Sequence, residues 1–301
     1  MTLRRFAFLA GAIMALSTVA AQAQWSIGAP GTREAPKGQH RYAMLVMIDP
    51  LPGKELVFND FYQNTHQGDL VQLPGWTGSQ RFRWLPEVKP RNITQPFIRG
   101  NLIIWDQEGE DLSKVAIPPG VIGGKSRIID GFDYTAGAST GGTYEVISPR
   151  MDRPDGKKAF MPAASDIKTP RPNRYIMMDY YDPAAGVSDA AFEAALKSRI
   201  PEYLAIPGFM HAQLFRTTAT APAPANSARL SLPKYLIIWE TEASGLIGGP
   251  QSYKGAQSLQ DALMAATKSG QIKPVSENTA TRQSTWWIPT APWINKDDFV
   301  R

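Results

Sequence analysis

Residues 73–83 read LPGWTGSQRFR, and residues 206–216 read IPGFMHAQLFR. The second stretch repeats the first at an offset of 133, and the match extends outward from it. Upstream, Arg41-Tyr42 meets Arg174-Tyr175, Met44 meets Met177, Asp49-Pro50 meets Asp182-Pro183, and Gly53 meets Gly186. Downstream, at offset 134, Leu102-Ile103-Ile104-Trp105-Asp106 meets Leu236-Ile237-Ile238-Trp239-Glu240. Ordered matches at near-constant spacing identify a duplicated unit. A period this long is far beyond a solenoid repeat, so each copy is a whole domain.

Each copy reads as the same series of elements. Tyr42–Ile48 and Tyr175–Tyr181 are apolar, β-favouring runs stopped by Asp-Pro. Helical periodicity follows over Glu55–Leu73 and Asp189–Ala205, the latter with Ser188 as N-cap. Pro-Gly turns lead into second strands at Trp76–Trp84 and Phe209–Arg216. Third strands end in Ile-Ile-Trp. A second helix is expected at Gln257–Lys268, with a shorter counterpart near Asp111–Ala116, and last strands lie near Thr143–Ser148 and Gln283–Ile288. The order β-α-β-β-α-β is the ferredoxin-like one, an α+β class. Its antiparallel sheet carries both helices on one face, and the other apolar face needs cover, which two copies in one chain supply to each other. In strand two, Trp76, Phe82 and Trp84 alternate with Thr77, Ser79, Arg81 and Arg83, so the first three share a face. The expected organisation is residues 1–23 as signal peptide, 24–149 as the first unit, 150–172 as linker, and 173–301 as the second unit with an aromatic tail.

Residues 1–23 combine Arg4-Arg5, an apolar run too short to span a membrane, and Ala21-Gln22-Ala23 as a cleavage site. They imply a periplasmic or secreted product cleaved after Ala23, with no membrane insertion after cleavage. The Arg-Arg-Phe run leaves the twin-arginine route open. The full chain has a net charge of +5. Losing 1–23 removes two arginines and no acid, and no basic run with a nucleic-acid footprint is left. The absence of cysteine excludes disulfides, cysteine nucleophiles and thiolate metal sites. Three histidines, His40, His66 and His211, are widely spaced, so no metal site is expected. The glycine-rich stretches 120–124 and 245–249 lack the phosphate-loop pattern, and there is no Gly-x-Ser-x-Gly elbow.

On the first helix, an ideal wheel places Phe58, Phe61, Tyr62, His66, Asp69, Leu70 and Leu73 on one arc, with Asp60, Asn64 and Gln67 opposite. Histidine ordinarily titrates near neutral pH, so a His66 in a helix–sheet pocket beside Tyr62 is a candidate general base. A hydrogen-bonded structural histidine is the simpler alternative. Asp69, three residues on, either orients the imidazole or forms an ordinary ion pair. At offset 133 the second unit has Arg199 and Glu202 in these places. On the second unit's strand two, His211 shares a face with Phe209, Gln213 and Phe215, and Asp179 interrupts an apolar strand where a polar group needs a partner. These two mark a second-half pocket unless the strand carrying Trp239 lies between them. Gln80 and Gln213 recur as barrel-core or pocket polar groups. Trp105 and Trp239 read first as core, and Trp286-Trp287 with Trp293 as a cap on one barrel end.

The series Phe58-Asn59-Asp60-Phe61-Tyr62, then His66, then Leu73-Pro74-Gly75 resembles the signature of the EthD-like branch of the dimeric α+β barrel superfamily. That branch carries an aromatic pair on helix one, a histidine about four residues later and a Leu-Pro-Gly turn. This chain has Gly68 where the family often has proline, and Ala194-Ala195 and Arg199 stand at offset 133 in the second unit. Members usually close the barrel with two subunits; here the tandem copy implies an intrachain barrel in a monomer, with a homodimer as the other arrangement. The superfamily spans cofactor-free monooxygenases, isomerases, polyketide cyclases and dehydratases, and haem enzymes. The resemblance implies an exported, cofactor-independent lyase, isomerase or dehydratase acting on a small hydrophobic or aromatic molecule. His66, Tyr62 and Asp69 would be catalytic, and Phe58, Phe61, Trp76, Gln80, Trp105, Asp179, His211 and Trp239 would line the site. A haem enzyme or carrier with His66 or His211 as axial ligand, and a non-catalytic binding protein for a hydrophobic ligand, are the alternatives.

Overall fold

A computed structural model describes residues 37–89, 98–115, 131–132, 139–153, 174–218, 232–244, 253–273, 279–291 and 294–296. The expected signal peptide, most of the expected linker, the glycine-rich stretches and Trp293 lie outside the described residues.

The first unit contains β1 (His40–Ile48), α1 (Glu55–Phe61), a π-helical turn (Tyr62–His66), α2 (Gln67–Val71), β2 (Trp76–Trp84), β3 (Asn101–Gly109), a 3₁₀ turn (Leu112–Lys114) and β4 (Ser139–Val146). After the short β5 (Met151–Asp152) the second unit contains β6 (Arg174–Pro183), α3 (Asp189–Leu204), β7 (Phe209–Thr217), β8 (Tyr235–Glu242), α4 (Tyr253–Lys268) and β9 (Thr279–Pro289), followed by β10 (Ile294–Asn295). Ser188 caps α3 as expected, its hydroxyl accepting from the Ala191 N–H at 3.3 Å. Near the expected second helix of the first unit, the described residues hold a 3₁₀ turn, where the Asp111 carboxylate accepts from the Ser113 N–H at 2.7 Å. Its counterpart α4 begins four residues earlier than its periodicity suggests. Among the described residues, no helix is long and apolar enough to cross a membrane.

Each unit has the ferredoxin-like strand order. The sheet runs β2-β3-β1-β4-β7-β8-β6-β9, and β9 pairs back onto β2 through Phe82↔Pro289, Arg83↔Ile288 and Trp84↔Trp287, closing an eight-stranded antiparallel barrel. The fold is therefore an α+β barrel made from two tandem units. β1 shows why its sequence is almost continuously apolar: Ala43, Leu45 and Met47 face the barrel interior, while Met44, Val46 and Ile48 face the helices. Both faces are buried, so polar alternation disappears. Ile176, Met178, Phe215, Leu236 and Trp287 of the second unit meet the first unit's residues in that interior.

The two units are interleaved. Leu85 and Val88 of the first unit join the second unit's helix-side core, and the Leu85 N–H donates to the Trp286 carbonyl at 2.9 Å. Ile294 and Asn295 return to pair with Ser79 and Gly78 of β2. Met151 and Asp152, inside the expected linker, pair with Ala212 and His211 of β7. Trp286 and Trp287 are strand residues, not an end cap: Trp287 fills the barrel interior, and Trp286 lies under α4, donating its indole N–H to Gln260 at 2.7 Å.

The expected sharing of a face by Trp76, Phe82 and Trp84 is corrected. The β2 ladder shifts between Trp76 and Gly78, and that bulge reverses the alternation. Trp76 therefore joins the helix-side core, while Phe82 and Trp84 belong to the barrel interior. The same shift occurs between Phe209 and His211 of β7, which separates Phe209 from Gln213 and Phe215. Both bulges follow Pro-Gly turns with Gly75 at φ +77° and Gly208 at φ +95°, a conformation glycine adopts without a Cβ penalty.

Candidate functional site

The two long helices of the repeat differ by one residue. Before the π-helical turn, the buried Phe58 aligns with the buried Phe192 at offset 134; after it, Leu70 and Val71 align with Tyr203 and Leu204 at offset 133. The π-helical turn accommodates the extra residue, and such turns occur frequently at functional sites. This changes the internal alignment. Tyr62 takes the place of Leu196 rather than Ala195, and Gln67 that of Ile200, both fully buried core residues of α3, so the extra residue lies within 63–66, the stretch that carries His66. Arg199 and Glu202 form a partly exposed ion pair at 2.6 Å on the outer side of α3. The turn also carries Gln67, placed opposite the apolar arc by the ideal wheel, into full burial, where its amide donates to the Ser79 hydroxyl at 2.9 Å and ties α2 to β2.

The π-helical turn sets up an aromatic group between the helix and the β2–β3–β1 face. The partly buried His66 imidazole stacks on Phe61 with centroids 5.2 Å apart and meets the edges of Tyr62 at 5.1 Å and Trp105 at 5.9 Å. Phe132 packs on Phe58, Phe61 and Tyr62 at 5.4, 5.6 and 5.4 Å. Trp76 meets Trp105 at 5.4 Å, and its indole N–H donates to the Val115 carbonyl at 3.0 Å. Thus Phe58, Phe61, Tyr62, His66, Trp76 and Trp105 come together. Asp69 is partly buried on α2.

Three candidate residues lie elsewhere, in the second unit, and one lies across the sheet. Gln80 pairs with Ile104 on the barrel-interior face and donates to the Ala291 carbonyl at 3.1 Å. Asp179 is fully buried in the second unit, accepting from the Trp239 indole at 3.0 Å, the Tyr181 hydroxyl at 3.3 Å and the Ser284 hydroxyl. Trp239 stacks on Tyr203 at 4.6 Å. His211 pairs with the Asp152 carboxylate at 2.5 Å, and β8, carrying Trp239, lies between it and Asp179. No shared pocket of His211 and Asp179 forms.

Two site residues are not singled out by sequence reasoning. Phe132 has no counterpart motif. Strict alternation puts Arg81 on the polar side of β2, but the bulged strand carries it under the helix. It is 3% exposed, and its guanidinium lies over Tyr62 at 5.2 Å and Phe58 at 5.6 Å. It donates to the Asn59 side-chain oxygen at 2.5 Å and the Asn59 carbonyl at 3.3 Å. Burial lowers its pKa, and Tyr62 opposes that shift. The clue was in the repeat itself: QRFR at 80–83 faces QLFR at 213–216, an arginine where the copy keeps a core leucine. Among the described residues, no group of three or more His, Cys, Asp or Glu side chains is placed to hold a metal ion.

Strand order and closure define the chain as an α+β barrel. No family model matches it, and no curated protein matches it. The chain is similar in fold to a solved structure of an anthrone oxidase-like protein (14% identity, 85% of this chain, 93% of that chain, TM-score 0.49). It is similar also to a Fusobacterium nucleatum protein provisionally named a monooxygenase (11% identity, 85% of this chain, 95% of that chain, TM-score 0.43). Both likenesses are distant and carry no argument about chemistry.

Proposed function

We propose that the chain is an exported, cofactor-independent enzyme of lyase, isomerase or dehydratase type, of the EthD-like kind, acting on a small aromatic molecule. His66 is its general base and Tyr62 a hydrogen-bond donor. The observation that carries this reading is the π-helical turn, which sets His66 and Tyr62 among aromatic rings where the second unit has an uninterrupted α-helix. The rings supply flat apolar contact, and the imidazole takes a proton from an acidic carbon. The resulting imidazolium returns that proton to another carbon in an isomerisation, or to the departing hydroxyl in a dehydration, so proton and electron pair balance without a co-reactant.

Anthrone, an aromatic ketone with an acidic methylene, serves as probe. In D₂O the chain is expected to accelerate deuterium incorporation at that carbon, and His66→Ala to lower the rate about a hundredfold or more, in line with general-base contributions. An unchanged rate in His66→Ala would refute the base assignment. Export is tested separately by amino-terminal sequencing of the exported chain, expected to begin at Gln24. The barrel's intrachain closure favours a monomer, which size-exclusion chromatography checks.

Haem is the competing cofactor reading. Among the described residues the His66 ring already has aromatic neighbours at 5.1, 5.2 and 5.9 Å. A porphyrin needs an open face beside its axial histidine, so the fit is poor and no step is routed through haem. Appearance of a Soret band on haem addition would reverse this.

A further inference from the structure

Among the described residues, the other buried or half-buried strand arginines face carboxylates. Arg41 has Asp106 at 3.2 Å, Arg174 has Glu242 at 3.1 Å, and Arg216 has Glu193 at 2.9 Å. Arg81 is as deeply buried as any of them, yet no carboxylate lies within ion-pair distance of it among the described residues. Its Nε is buried and has no acceptor there. The two acceptors it does have belong to Asn59, a neutral residue exposed at the edge of α1.

The second unit shows what the fold itself requires at these positions. Arg81 pairs with Ile103, and the equivalent residue pairing with Ile237 is Leu214, fully buried. Asn59 aligns with Glu193, which accepts from both Arg216 and Tyr235. The second unit therefore fills the place with hydrocarbon and puts the helix carboxylate to use elsewhere. The first unit buries a cation, withholds the carboxylate, and borders it with the same Tyr62 ring that borders His66. Burying a charge without a counter-charge is costly, and a fold that packs leucine in the copy has no structural need of it.

We propose that Arg81 binds an anionic oxygen of the small molecule, so that the site takes aromatic compounds bearing a carboxylate, phenolate or enolate oxygen. This rests on the reading of the His66–Tyr62 cluster as a small-molecule site. The exposed Asn59 amide occupies the guanidinium in the empty site and yields to the ligand oxygen. A guanidinium in place before the reaction stabilises charge as it develops on that oxygen, without reorganisation.

The test compares 1-naphthoate with its neutral analogue 1-naphthalenemethanol by calorimetric titration of the wild-type chain, Arg81→Leu and Arg81→Lys. Arg81→Leu copies the second unit's solution, and Arg81→Lys keeps the charge should the leucine variant fold poorly. The wild type is expected to bind the carboxylate at least tenfold more tightly than the alcohol. Arg81→Leu is expected to erase that preference while leaving the alcohol's affinity within threefold, and Arg81→Lys to keep part of it. Equal preference in wild type and Arg81→Leu, or binding of neither probe by the wild type, overturns the proposal. Deuterium exchange into anthrone separates the sources: if the oxygen is an enolate formed in the reaction, exchange falls in Arg81→Leu; if it is a resident carboxylate, only naphthoate binding falls. The base assignment is read from anthrone exchange in His66→Ala and the anion site from the naphthoate preference in Arg81→Leu, so failure of the one and failure of the other give different results.

Discussion

Replacing Arg81 with leucine sets stability against binding. The wild-type guanidinium gains a strong and a weak hydrogen bond to Asn59, at 2.5 and 3.3 Å, and two aromatic contacts at 5.2 and 5.6 Å. Charged hydrogen bonds contribute about 1.5–3 kcal/mol each, the long one at the low end, and the ring contacts about 0.5–1 kcal/mol each. Against these stand the several kcal/mol needed to desolvate a buried cation and the roughly 1.5–3 kcal/mol that a buried leucine contributes. The two sides are of similar size, so ligand-free Arg81→Leu is expected within about 1 kcal/mol of the wild type, a Tm difference of no more than roughly 2–4 °C. With 1-naphthoate at a hundred times its Kd the wild type gains about 2.7 kcal/mol and the variant little, so the wild type becomes the more stable of the two. Differential scanning calorimetry with and without naphthoate reads both. A ligand-free Arg81→Leu that is less stable than wild type by more than about 1 kcal/mol would make Arg81 a structural residue and refute the reasoning.

Asp179→Val puts into the second unit what Val46 supplies in the first; it fits sterically but removes the acceptor shared by Trp239, Tyr181 and Ser284, and it is expected to cost about 3 kcal/mol by urea denaturation, with Asp179→Asn costing less. Gly208→Ala places a Cβ 2.8 Å from the Glu242 carbonyl at φ +95°, so a loss of about 2 kcal/mol or more is expected, whereas Gly186→Ala, at φ +83° with nothing within 4 Å, is expected to lose only the smaller cost of its backbone conformation. Burial pushes Tyr175 up to about 12 and also raises Tyr144, Tyr180 and Tyr235. The unfolded chain ionises these phenols near pH 10 and the folded chain does not, so their stabilisation is complete below about pH 10 and is lost as pH rises from there through about 12. Unfolding followed by circular dichroism should therefore coincide with the rise of tyrosinate absorbance rather than trail it.

The barrel was legible because duplication writes each element twice. The Pro-Gly turns, the Ile-Ile-Trp strands and the Ser188 cap each follow from local chemistry that no distant contact overrides. What the sequence hides is the one-residue change of phase. The strand before the helix and the turn after it both match at 133, and only the helix's first turns match at 134, so the shift is hidden between matching flanks and an ideal wheel run through it misplaces Gln67. The bulges after Gly75 and Gly208 act likewise on the strands: strict alternation assigns Trp76 and Phe209 to the interior, and the shifted ladder turns both toward the helices. His66 and Tyr62 were legible as residues; that Tyr62 replaces a core leucine and His66 lies in the inserted stretch emerges only when buried positions are matched.

Duplication also explains how the first unit tolerates what it carries. The second unit buries Phe192, Leu196, Ile200 and Leu214 in a helix-side cluster that also gathers Leu85 and Val88 from the first unit. At the aligned places the first unit has Phe58, Tyr62, Gln67 and Arg81, with His66 in the π-helical stretch that interrupts the helix. A lone unit with a buried cation and an interrupted helix would be marginal. Here β9 and β10 both bond β2, the strand that carries Arg81, so the second unit holds the floor of the site in register. The polar, less favourable packing at His66, Tyr62 and Arg81 is thus confined to one copy and offset by the other, the distribution expected where a site draws on a fold's surplus stability.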